Sequence, residues 1–254
     1  MPTFDEAYHD VDGVDTAVLT AGEGAPLVFF HGGGIVEGVD CFLPLAERFR
    51  LVVPYHPGFD GTADDPSATS IDDWVRHYVA LFDALAIESL TLFGHSLGGW
   101  LAARFALEHG ERVRRLVLAS PYGLDVPGQP LAPMFALAPE EVYGVLTRDQ
   151  SIFEGKVTLP LGEEFLAARA REGRSVGQVV PGPFDSTLEG RLHRLTMPTL
   201  LHWGADDRVV PAGHAPAWEA LLPNVQSRIF LDRGHLLYWE EPEAVSDVLA
   251  FASG

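Results

Sequence analysis

Short apolar runs, rich in β-branched and aromatic residues, recur along the chain. Leu27–Phe30, Leu51–Pro54, Leu90–Phe93, Leu116–Ala119, Thr199–Trp203 and Arg228–Leu231 are the clearest. Continuous runs of this length suit strands buried on both faces, as in a parallel sheet. Val14–Thr20 alternates apolar with polar residues, and with Glu6–Val11 before it predicts an antiparallel edge hairpin. Between the runs the apolar period lengthens to that of a helix. Ser70 opens one such segment, with Asp72 and Asp73 in its first turn, where negative charge suits the helix dipole. Trp74, Tyr78, Leu81, Phe82 and Leu85 follow at helical spacing. Leu97–Leu107 and Glu243–Phe251 predict two further helices. Strands and helices alternating through right-handed crossovers specify a doubly wound α/β sheet.

The alternation lapses between Pro121 and about Leu195. Prolines at 121, 127, 130, 133, 139, 160, 181 and 183 punctuate this stretch. Its only regular patterns are short helical ones around Pro139–Thr147 and Leu161–Arg171. We read it as an insertion of small helices over one edge of the sheet. The chain then divides into a core of residues 1–120 and 196–254 and an insertion of residues 121–195. A connection of ~70 residues inside a compact domain is unusual and generally functional.

Composition narrows the field of partners. Lys+Arg 17 against Asp+Glu 36 gives a formal charge of −19 over 254 residues. A surface that acidic repels phosphate backbones and anionic lipid, so nucleic acid and membrane are not expected partners; a small molecule is. Lys156 is the one lysine beside sixteen arginines, which reflects genome composition. The single Cys41 forms no internal disulfide, as suits a reducing compartment. Met1–Glu6 shows neither a basic start nor an apolar run, and no stretch approaches the ~18 apolar residues of a membrane helix. The expectation is a cytoplasmic protein, monomeric or homodimeric.

The strongest chemical signal is Gly94-His95-Ser96-Leu97-Gly98-Gly99, which follows one apolar run directly and opens a helix. This is G-x-S-x-G in a strand–turn–helix context. The tight turn strains Ser96 and projects its hydroxyl from the carboxyl end of the sheet. A serine hydroxyl needs a base, and the base needs an orienting acid. Two later apolar runs supply them at their carboxyl ends: Gly204-Ala205-Asp206-Asp207 and Arg233-Gly234-His235. We assign Ser96 as nucleophile, His235 as base and Asp207 as acid, with Asp206 facing solvent or capping the next turn. Asp125 is a second position for the acid, just after the strand ending at Ala119. His31-Gly32-Gly33-Gly34 follows the first central strand, and acyl transfer needs fixed N–H donors for its oxyanion, each contributing about 2.7–4 kcal/mol. Gly33 and Leu97 are the expected backbone donors. His31 and His95 read as structural, His202 as a strand residue, and His9, His56, His77, His109, His193 and His214 as surface or capping residues. Neither H-E-x-x-H nor paired Cys/His spacing occurs, so no metal and no cofactor is expected.

Together with Pro57-Gly58-Phe59, Arg208-Val209-Val210-Pro211 and Glu240-Glu241-Pro242, these motifs resemble those of α/β-hydrolase-fold enzymes over nearly the whole chain. The resemblance implies an eight-stranded core, a helical cap after the sixth strand, and a cofactor-free serine hydrolase. Serine at the elbow disfavours branches that use an aspartate nucleophile. The layout is similar both to carboxylesterases and to carbon–carbon hydrolases of ring-fission products. The latter commonly carry Asn before the nucleophile and Trp after the base; here those places hold His95 and Leu236. Leu131, Met134, Phe135, Leu137, Tyr143, Phe153, Leu159, Phe165 and Phe184 predict a mainly apolar pocket. The expected reaction is hydrolysis of a small or medium carboxylic ester or lactone through an acyl-enzyme. Alternatives are carbon–carbon hydrolysis, acyl transfer or perhydrolysis, and ligand sensing on a hydrolase fold.

Overall fold

The computed structural model describes residues 2–34, 38–134, 137–156, 161–180, 182 and 184–254. Eight strands form one sheet: β1 (Asp5–Val11), β2 (Val14–Ala21), β3 (Ala25–Phe30), β4 (Phe49–Pro54), β5 (Leu90–His95), β6 (Val113–Ala119), β7 (Thr199–Gly204) and β8 (Val225–Phe230). Their order is β1-β2-β4-β3-β5-β6-β7-β8. The β1–β2 hairpin and the β2–β4 pair are antiparallel; every other pairing is parallel. The central strands β5 and β7 are buried throughout, as suits strands covered on both faces. The exception is β8. It is an edge strand, and Ile229 and Leu231, the latter just past its end, stay 46% and 78% exposed. The expected burial on both faces therefore fails there, since the outermost strand has no neighbour on one side.

Seven helices complete the described fold: α1 (Ile71–Ala84), α2 (Leu97–Glu108), α3 (Pro139–Leu146), α4 (Glu163–Val179), α5 (Ala215–Leu221), α6 (Leu237–Glu240) and α7 (Pro242–Ser253). At the start of α1 the Asp73 carboxylate accepts the backbone N–H groups of Thr69 and Ser70, each at 2.9 Å. Trp74, Tyr78, Leu81 and Phe82 then fill one side of the sheet with Phe30, Leu101 and Phe105. Phe29, Phe42, Phe93, Tyr238 and Val248 fill the other. Among the described residues between β6 and β7 there are helices, turns and one isolated bridge, Gly123 to Phe184, and no strand. α4 runs eight residues beyond the expected Arg171, because Ser175, Val176 and Val179 on its inner face are buried. Phe135, Leu159 and the prolines at 160, 181 and 183 lie outside the described residues.

The end of that long connection is fastened by charge. Arg104 on α2 is 6% exposed and donates to Asp185 at 3.3 Å and to Thr187 at 2.8 Å, while also pairing with Asp72. Trp100 Nε1 donates to Asp185 at 3.0 Å. Replacing Asp185 by Ala leaves a buried guanidinium and an indole N–H without their shared acceptor. Asp72 still neutralises Arg104, so the expected loss is about 3 kcal/mol, the low end for breaking a buried pair. Urea unfolding at neutral pH measures it; a loss below about 1 kcal/mol, typical of an exposed pair, would show that the network contributes little.

Candidate active site

Three strand ends meet at the carboxyl edge of the sheet. β5 ends at His95, and Ser96 takes φ 56° and ψ −119° before α2 begins. Its neighbours must be glycine. A Cβ on Gly98 would stand 2.1 Å from the Phe30 carbonyl oxygen, and one on Gly94 would stand 2.2 Å from that of Gly98. The strained turn is held by the Ser96 carbonyl, which accepts N–H from Gly99, Trp100 and Tyr122, and by its own N–H, which donates to Ala119. Leu97 is the first residue of α2, so its N–H is among those a helix leaves unpaired. Gly32 lies against the elbow: a Cβ there would sit 3.4 Å from Ser96 Cβ. Gly33 faces open space, with nothing within 4 Å of the corresponding position.

The loop after β7 brings Asp207, and the loop after β8 brings His235. His235 Nδ1 donates to Asp207 Oδ2 at 2.8 Å. Asp207 Oδ1 accepts from the N–H of Val209 at 2.9 Å and of Val210 at 2.8 Å, and the Ser120 hydroxyl adds a further bond to the carboxylate. Burial alone would push this carboxyl up, but His235 and these donors outweigh it and hold it below the usual range. Asp207 is thus an ionised, fully satisfied acceptor. With Nδ1 donating, Nε2 is the ring nitrogen that can take a proton. The base loop also touches the elbow: His95 Nε2 donates to the His235 carbonyl at 2.9 Å, and the two rings are 4.7 Å apart. Ser96, Asp207 and His235 are all nearly buried, at 8%, 5% and 2% exposure.

The other expectations divide. Asp206 is half-buried and pairs with Arg148, and Asp125 is exposed. His31 and His95 are buried and neutral, since burial drives both to about 3. His56 and His77 are neither surface nor capping residues, being 0% and 6% exposed, whereas His214, 1% exposed, stands at the N-cap of α5. Sequence offered no cue, because each finds its partner far along the chain: Tyr78 for His56, Thr16 for His77 and Gln129 for His214. Of the side chains expected to line a pocket, Tyr143, Phe153 and Phe165 pack with Leu236, and Phe165 also stacks under the Arg169 guanidinium. Arg169 Nη1 reaches within 3.4 Å of where a Gly34 Cβ would stand and pairs with Glu172, which is 2% exposed and held at about 7, chiefly by burial. Sequence reading missed Ser120, which terminates β6 as Ser96 terminates β5 and shares its left-handed backbone, at φ 41°. Among the described residues no group of three or more His, Cys, Asp or Glu is disposed to hold a metal ion, and no helix is long and apolar enough to cross a membrane.

A strained serine between strand and helix, with a buried His–Asp pair delivered by later strands of the same sheet, defines a hydrolase of the α/β class. The chain belongs to the alpha/beta hydrolase family, whose model matches residues 27–248. It is 30% identical over 252 residues to 2-hydroxy-6-oxo-6-phenylhexa-2,4-dienoate hydrolase of Burkholderia cepacia, covering 88% of this chain and 86% of that protein. Among solved structures it resembles a membrane phospholipase A, a bacterial virulence factor, with TM-score 0.83 and 27% identity over 99% of this chain and 86% of that one. It also resembles a serine hydrolase involved in carbazole degradation, with TM-score 0.80 and 25% identity over 99% of both chains.

Proposed function

We propose that this protein is a serine hydrolase that cleaves a carboxylic ester or lactone of a small to medium substrate through an acyl-enzyme. The observation that carries the reading is the 2.8 Å bond from His235 Nδ1 to a fully satisfied Asp207, with the base loop bonded at 2.9 Å to His95, the residue before the strained Ser96. Ser96 Oγ attacks the carbonyl carbon while His235 Nε2 takes its proton. The Gly33 and Leu97 N–H groups hold the oxyanion. His235 then protonates the leaving alcohol, and water, deprotonated by the same nitrogen, releases the acid. Asp207 fixes the ring and stabilises the imidazolium without itself taking the proton. Residues 121–195 act as a cap over this edge of the sheet, and the acidic, Cys-poor chain works in the cytoplasm.

A second reading is carbon–carbon hydrolysis of a ring-fission dienoate. Arg169 beside Gly34 favours it, because a cation there suits an acid substrate, and so does the likeness to the Burkholderia cepacia dienoate hydrolase. The absence of Asn and Trp at His95 and Leu236 weighs for the ester.

Wild-type enzyme mixed with p-nitrophenyl butyrate is expected to give a burst of p-nitrophenol and steady turnover, and Ser96→Ala to lose both by about 10⁶-fold. In parallel, bleaching of a yellow 2-hydroxy-6-oxodienoate measures the competing reaction. A kcat/KM at least about tenfold higher for the dienoate would assign the second reading, and turnover of neither would defeat both.

A further inference from the structure

Glu240 stands five residues after His235, at the end of α6, and it collects donors from one distant segment and from its own loop. Its Oε1 accepts from the Thr147 hydroxyl, from the Arg148 N–H at 2.6 Å and from the Asp149 N–H at 3.1 Å. Its Oε2 accepts from the Gly234 N–H at 2.6 Å. One carboxylate thus spans from the connection between β6 and β7 to the residue immediately before the base. The residue immediately after the base is tied in the same direction, for the Leu236 N–H donates to the Leu146 carbonyl, at the end of α3, at 3.0 Å.

The seam is tight as well as bonded. A Cβ on Gly234 would stand 3.0 Å from Thr147 Cα, 3.1 Å from the Leu146 oxygen and 3.2 Å from the Arg148 nitrogen, all of them backbone atoms. Leu236 packs with Tyr143 and Phe153 of the same segment. Arg148 continues the link to the acid loop by pairing with Asp206, and lies 3.5 Å from Asp232. His235 is therefore gripped on both sides in sequence by a segment about ninety residues earlier. Its ring sits where these bonds put its backbone.

We propose that Glu240 is a positioning residue for His235, and that through it the α3 half of the connection sets the base rather than swinging over it as a free lid. This rests on the acyl-enzyme reading above. The chemistry of the bridge makes it separable from simple stability. A carboxylate offers two acceptor oxygens, one for each side of the seam. An amide offers only one, so Glu240→Gln sets an N–H against an N–H on one side and releases that side alone.

The test uses the full-length enzyme, p-nitrophenyl butyrate for kcat and KM, and diethyl p-nitrophenyl phosphate to measure how fast Ser96 is phosphorylated, a step that also needs the base. Glu240→Gln is expected to lower kcat and the phosphorylation rate about 30-fold, the scale of an ångström-sized misplacement, with KM within about threefold. Its Tm is expected to fall by no more than about 5 °C. Thr147→Val, which removes one of the three donors on the far side of the bridge, is expected to lower kcat about fivefold, and the double variant to be no slower than Glu240→Gln within about twofold, because both weaken one connection. Glu243→Gln removes an exposed carboxylate that pairs with Arg228, and is expected to keep kcat within about twofold. Wild-type kcat in Glu240→Gln, or a double variant whose loss is the product of the two single losses, overturns the proposal. Should Glu240→Gln not fold, wild-type kcat in Thr147→Val overturns it alone. Burst and turnover in the wild type, abolished by Ser96→Ala, uphold the acyl-enzyme reading whichever way Glu240 falls.

Discussion

Asp207→Asn is expected to lower kcat by about 10⁴-fold while the protein stays folded. The reason lies in the second oxygen of the carboxylate. Val209 and Val210 direct their N–H groups at Oδ1, at 2.9 and 2.8 Å, so the oxygen of an asparagine amide must turn to them. Its NH₂ then faces His235 Nδ1, which today donates to Oδ2. To avoid opposing two donors the ring shifts its proton to Nε2, the atom that has to receive one from Ser96. Asp206→Asn is the internal comparison. Asp206 is partly exposed and pairs with Arg148, and surface pairs contribute at most about 1 kcal/mol, so activity is expected to stay within about threefold. Steady-state kinetics on the two variants decide the assignment; equal activities would remove Asp207 from the acid role.

Acid is expected to unfold this protein steeply below pH 6.5. Burial pushes His31, His95 and His202 down to about 3 and His77 to about 4, and holds His56 well below the usual histidine value. In the unfolded chain a histidine titrates near 6.5. Below that pH the unfolded chain takes up protons that the folded core refuses, so stability is complete above 6.5 and is lost as pH falls towards 3. Well below 6.5 each of the first four costs about 1.4 kcal/mol per pH unit, roughly 5 kcal/mol per unit together, against a total stability of about 5–15 kcal/mol. Glu172 works the other way. Burial raises it to about 7, so it adds stability as pH falls from 7 towards its unfolded value, but it is one group against five. Urea midpoints at pH 8, 7, 6 and 5 measure the balance. They are expected to be nearly level between 8 and 7 and to drop sharply by 5; a level midpoint down to pH 5 would contradict the neutral, buried state of these rings.

The sequence legibly carried most of the scaffold, because its signals are local. A run such as Leu90–Phe93 must be covered on both sides, and a serine between Gly94 and Gly98 at its end has few other places to go. The same locality gave Asp207 and His235 as the residues that follow apolar strands. Pairwise partners are another matter. Nothing near His56 announces Tyr78, and nothing near Glu240 announces Thr147, Arg148 and Asp149, because each bond joins residues that only the crossovers bring together. Arg169 reads as one more charge on an exposed helix until α4 turns it towards Gly34.

By itself, then, the order of residues determined the α/β sheet, the strained serine and the candidate acid and base, since spacing and strand ends are properties of short stretches. Tertiary packing decided which aspartate faces the imidazole, which histidines stay uncharged and how the base loop is braced. Those outcomes depend on desolvation and on hydrogen bonds across tens of residues, and such energies exist only once the chain has closed on itself.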